Sequence, residues 1–161
     1  MASKFKLDNL YRFFMRAYPV KSYGGTPPNT PLHKELSRCR VALITTAGLH
    51  LQEQTPYNDK IIGGDCSYRE IPNTIETQVL ALGHRSKAFD ASGTESDINL
   101  VFPLDRFREL ETEGKIGSLN DRHFSFMGSI TKPKRLIEKT APEVGQLLKA
   151  DDVDVVFLTP V

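Results

Sequence analysis

The sequence has no tryptophan, only two cysteines in 161 residues, and almost no excess of either charge, with 21 lysines and arginines against 20 aspartates and glutamates. Each shortage excludes something. A net charge of +1 gives no global field for nucleic acid or an anionic membrane, so neither is expected as a partner. No apolar run nears the roughly 18 to 20 residues of a membrane span, and the start, MASKFKLDNLYRFF, lacks the apolar stretch and small-residue cleavage site of a secretory signal. A cytoplasmic protein is the expectation. Cys39 and Cys66 are too few for a disulfide scaffold and lack the paired spacing of a zinc site, so they are expected as reduced thiols. His33, His50, His84 and His123 are nowhere three to five residues apart, which leaves no helical metal motif, and neither G-x-G-x-x-G nor a P-loop occurs.

The length fits one domain of roughly 150 residues with a short arm. Leu7, Leu10, Tyr11, Phe14 and Tyr18 share one face of an N-terminal amphipathic helix that Pro19 should end, with Lys4, Lys6, Arg12 and Arg16 on the other face. That helix is expected to pack on its own domain or on a second copy. SYGGTPPNTP reads as a linker, and Thr30 as N-cap with Pro31 in the first turn predicts a short helix through about Arg38. The arm is therefore 1–38 and the main domain 39–161.

In the main domain, Val41 to Ile44 is a continuous apolar run of the buried parallel-strand kind. INLVF at 98–102 predicts a second such strand, and VDVVFLTPV from Val153 to Val161 a third. Leu104, Phe107 and Leu110 have helical spacing, with Asp105 in the first turn and Gly114 as the stop. Thr140 and Glu143 have capping-box spacing around Pro142, which predicts a fresh helix over about 141–149. The alternation implies an α/β fold with a mainly parallel sheet and flanking helices, Rossmann-like in its layers. Ligands then belong at the carboxyl ends of the strands, at Thr45, Thr46 and Gly48, at Pro103 to Asp105, and at Thr159 to Val161. No loop and covering helix follow the last strand, so either truncation or a cover outside this chain is expected.

Two places carry candidate chemistry. His84 stands six residues before Asp90 in a polar loop, and an imidazole held by a carboxylate is a general acid/base pair, although loop histidines are commonly plain surface residues. His123, in RHFSFMG, is either a second proton donor or a half-buried histidine satisfied by backbone. GGDCSYREIP packs Asp65, Cys66, Ser67, Tyr68, Arg69 and Glu70 behind a glycine turn. Arg69 could hold a carboxylate bidentately, or Asp65 could cap backbone amides in a structural knot with Arg69 paired to an acid. Cys66 beside Arg69 is either a lowered-pKa thiol or a buried inert one.

VALITTAGLHL, GGDCSYREIP, the loop at His84, DINLVFPLDRFRELETEGKIGSL, RHFSFMG and LLKADDVDVVFLTPV, in that order, resemble the selenoprotein B subunits of the glycine, sarcosine, betaine and D-proline reductases. The resemblance runs from about Arg40 to Val161. It implies a selenocysteine or cysteine, two residues and a cysteine directly after Val161, so a selenocysteine codon acting as a stop would leave a truncated, inactive chain. It also implies reductive cleavage of a C–N bond by a selenolate or thiolate, no cofactor within this chain, and a dithiol reductant of thioredoxin type or further reductase subunits as partners, with a homo-oligomer possible in principle. His84 or His123 would protonate the leaving amine, Arg69 with Asp65 and Ser67 would bind the small-molecule substrate, and Thr45, Thr46 and Gly48 would line the crevice. The alternatives are a thiol or peroxide redox protein of the same fold and a non-catalytic small-molecule binding module.

Overall fold

A computed structural model describes residues 24–26, 29–83 and 91–161. The expected N-terminal helix and the expected loop with His84 and Asp90 fall on residues outside those described. Residues 1–31 and 32–161 group into two units, and all that follows concerns the second.

The strands are β1 (Arg40–Thr45), β2 (Leu49–His50), β3 (Tyr68–Pro72), β4 (Ala81–Leu82), β5 (Ser118–Leu119), β6 (Arg122–Phe126) and β7 (Val155–Thr159). The helices are α1 (Ser92–Ser96), α2 (Leu104–Thr112) and α3 (Ala141–Ala150). The expected first and third strands are present as β1 and β7, paired in parallel along five residues. β5 and then β6 pair with the opposite side of β1, also in parallel. β3 joins the far side of β6 in antiparallel register, so the sheet is mixed rather than mainly parallel. β2 and β4 form a separate two-stranded antiparallel ribbon.

Alternation along β1 sends successive side chains to two cores. Val41 and Leu43 join Leu104, Phe102 and Leu119 in one, with Phe107 and Leu110 of α2 packed against it. Ala42 joins Phe124, Phe126, Val144 and Leu148 in the other, under α3. Asp151, at the end of α3, takes two hydrogen bonds from Arg122 of β6 at 2.7 and 2.8 Å, and this pairing holds its carboxyl below the usual carboxylate range.

Three local expectations are corrected. INLVF is no strand: Ile98–Leu100 is a 3-10 turn in which Asp97 accepts from the Asn99 amide, while Val101 and Phe102 drop into the core beneath. An apolar run bounded by Asp and Pro suits a segment lying on a sheet face as well as one inside the sheet, and the side-chain cap decides for the turn. The helix expected from Thr30 to Arg38 shrinks to a 3-10 turn at Leu36–Arg38, with Leu36 half exposed and no side-chain cap. The helix expected over about 141–149 is present as α3, but the Thr140 side chain does not cap it. Thr140 has helical dihedrals at the end of a wide π-type turn, Leu136–Thr140, and its hydroxyl donates to the Cys66 carbonyl at 2.7 Å instead of capping α3.

Candidate functional site

The glycine turn is built as a knot. Gly63 and Gly64 have φ of +99° and +100°, and a Cβ on Gly63 would fall 2.6 Å from Cβ of Lys132, so the turn needs glycine for both conformation and space. Asp65 then accepts from the amides of Asn58 and Ser67 at 3.0 and 2.9 Å and from the Ser67 hydroxyl at 2.6 Å. Burial pushes its pKa up, but these hydrogen bonds and the Arg69 charge outweigh it, and the carboxyl is held below its usual range.

Arg69 sits 4.3 Å over the Tyr57 ring and donates to the carbonyls of Thr55, Tyr68 and Pro56 and to the Ser67 hydroxyl. Among the described residues, those four bonds leave one of the five guanidinium N–H groups uncommitted. Tyr57 is buried, and burial pushes its phenol up to about 12.

The carboxyl end of β1 is equally occupied. The Thr45 hydroxyl accepts from the Ala47 amide, and Thr46 exchanges hydrogen bonds with Val161 while its own amide binds the Thr159 carbonyl. Gly48, at φ +75°, donates to Phe126 and accepts from Gly83. Register puts Arg69, Ser125, Thr45 and Thr159 in one row across four strands, so both groups of sequence candidates meet at one end of the sheet.

His123 has a structural part. Between the pairs Val41 to Leu119 and Ile44 to Phe124, the β5–β6 side carries two more residues than β1, and the ladder is interrupted. Nδ1 of His123 fills the gap by accepting from the Leu43 amide at 3.1 Å. That fixes the neutral tautomer with the proton on Nε2. The imidazole is fully buried, and desolvation, with the nearby Arg108 charge, pushes its pKa down to about 4. Cys39 and Cys66 are buried free thiols.

Sequence reasoning passed over a cavity of about 680 Å³ at the start of α2. Its apolar wall is Leu80, Leu82 and Ile98, and its polar wall includes Thr94, Glu95, Asp97 and Asp105. Asp105 is braced by Thr77 at 2.7 Å, Asn99 at 3.0 Å and Arg108 at 2.8 Å. Arg108 also donates to the carbonyls of Asn73 and Ile75. Burial raises the Asp105 pKa less than the Thr77 and Asn99 hydrogen bonds and the Arg108 charge lower it. The signal available was the spacing Asp97, Asn99, Asp105, Arg108 around Pro103, which makes no sense for a strand and much for a side-chain-braced turn. Among the described residues, no group of three or more His, Cys, Asp and Glu could hold a metal ion. Among them, too, no helix is long and apolar enough to cross a membrane.

The family is definite: the chain belongs to the glycine/sarcosine/betaine reductase selenoprotein B family, whose model matches residues 6–161. The match reaches back well before Arg40, so residues 6–38, which the motifs alone left outside the likeness, share in it.

The chain is 38% identical over 136 residues to the D-proline reductase subunit gamma of Acetoanaerobium sticklandii, covering 83% of this chain and 54% of that protein. It is 33% identical over 150 residues to the glycine reductase complex component B subunit gamma of Symbiobacterium thermophilum, covering 88% and 33%. To the betaine reductase complex component B subunit beta of Peptoclostridium acidaminophilum it is 29% identical over 129 residues, covering 78% and 29%. The chain thus spans between about a third and a half of these relatives' length. No solved structure matches.

Proposed function

We propose that this chain serves as a subunit of a reductase complex that cleaves a C–N bond in an amino-acid or betaine-type substrate. The family match over residues 6–161 carries the reading. In the reaction the selenolate or thiolate bonds to the carbon as the C–N bond breaks and the amine departs with the bonding pair and gains a proton; a dithiol then cleaves the new carbon–selenium or carbon–sulfur bond, the carbon keeping that pair and taking a proton while the dithiol ends as a disulfide. The selenocysteine or cysteine pair that the resemblance puts next to Val161 supplies the nucleophile, because a selenolate or thiolate is the reactive form. Partners in this reading are a thioredoxin-type dithiol and further reductase subunits.

The described residues prepare the ground for that step. Asp65, Ser67 and Arg69 shape the carboxyl end of the sheet, and the last free N–H of Arg69 is the donor left for a substrate carboxylate. Thr45 and Thr46 hold the end of β1 to β7 and the residues after it, and Gly48 ties the following turn to Phe126 of β6. Proton delivery to the amine is assigned to His84, with Asp90 as its orienting carboxylate, since His123 is neutral, buried and bonded to Leu43. In the assembled reductase, His84→Asn should lower turnover about a hundredfold while leaving the urea midpoint unchanged. Unaltered turnover would remove His84 from the reaction, and no amine reduction by the assembled wild type would remove the reading itself.

A further inference from the structure

Part of the lining of the cavity beside α2 keeps hydrogen-bonding capacity that no described residue uses. Thr94 is 5% exposed and lines the space, yet its hydroxyl has no partner among the described residues. Glu95 and Asp97 line the same wall with no cation paired to either among those residues, and among them Asp97 commits only Oδ1, to Asn99. Asp105 is different, because Arg108 already balances its charge. No lysine, arginine or histidine among the described residues lines the cavity, whereas Leu80, Leu82 and Ile98 give it an apolar side.

We propose that this cavity is the binding site for the ammonium group of a small organic cation, with Glu95 and Asp97 supplying the charge, Thr94 the hydrogen-bond acceptor and Leu80, Leu82 and Ile98 the contact for attached carbon. A metal ion is a poor fit, since these carboxylates do not converge into a ligand set. An anion is a worse one, with two negative charges at the wall that no described residue compensates. An organic ammonium matches both walls at once. The site stands on geometry, and it rests on the reductase reading only for which cation is physiological: there it would receive the nitrogen end of the substrate.

The test is an amide chemical-shift titration of the 161-residue chain with methylammonium chloride, tetramethylammonium chloride, tert-butanol and sodium acetate at one fixed ionic strength. The expected result is saturable shifts centred on Thr94, Glu95 and Asp97 with both cations and none with the alcohol or acetate. Glu95→Gln should weaken both cations about three- to fivefold, the size of one partly exposed charge contact. Asp97→Asn should do the same while keeping an oxygen for the Asn99 amide. Thr94→Val should weaken methylammonium and spare tetramethylammonium, which has no N–H to donate. Equal shifts with tert-butanol, shifts spread over every acidic surface, or affinities untouched by Glu95→Gln would each overturn the site. Cation binding without amine reduction by the assembled complex would sink the reductase reading and leave the site standing; reduction without cation shifts here would do the reverse.

Discussion

The knot at Asp65 and the cavity at Thr94 are both dense in polar side chains, and they differ in what those side chains have left to give. In the knot, one carboxylate satisfies three donors and one guanidinium spends four of its five N–H groups on neighbours. In the cavity a nearly buried hydroxyl and two carboxylates have capacity in hand. Satisfied polar groups fix a shape, and unsatisfied ones facing a void leave room for a ligand. Polar density in a sequence does not separate the two.

The comparison breaks most visibly on stability. Asp65→Ala strands the Asn58 and Ser67 amides and should cost about 3 kcal/mol in urea unfolding, because an orphaned donor loses its full hydration. A loss below about 1 kcal/mol would show that the knot is decoration. His123 comes next. Its folded pKa of about 4 lies below the 6.5 of an ordinary histidine, so the unfolded chain takes up the proton first as pH falls. This contribution to stability is complete above about pH 6.5 and declines towards pH 4, by about 3 kcal/mol in all. His123→Asn keeps an acceptor for the Leu43 amide and should flatten that slope; an unchanged slope would assign it to other groups. Smallest is Glu95→Gln, an exposed change that loses no partner among the described residues, expected within about 0.5 kcal/mol of wild type by thermal melting.

What could be read from the chain follows the same division between apolar pattern and polar bookkeeping. β1, β7 and α2 were legible because continuous apolar runs and a helical stripe have few alternatives. β3 and β6 were not, since YREIP and RHFSF carry charge, hydroxyl and imidazole at positions that turn out to be buried or paired. β6 in particular hides His123 and Ser125 inside the sheet, and no propensity foretells that an imidazole will replace a strand carbonyl. The same blindness turned Ile98 to Phe102 into a strand and Thr140 into a cap: each outcome hung on one distant or side-chain hydrogen bond, from Asn99 to Asp97 and from Thr140 to Cys66. At the site, the sequence displayed the residues of the knot and offered both of its readings. It hid the cavity, whose walls come from Thr77 to Leu82 and from Thr94 to Asp105, because only folding brings those stretches face to face.

The most direct test of the contrast is to measure KM for the amine and the urea midpoint together in the assembled reductase, for Asp65→Ala and Glu95→Gln side by side. The account predicts that Asp65→Ala lowers the midpoint more than it alters KM, while Glu95→Gln raises KM about three- to fivefold at an unchanged midpoint. The opposite pattern, with substrate binding lost at Asp65 and stability lost at Glu95, would contradict it.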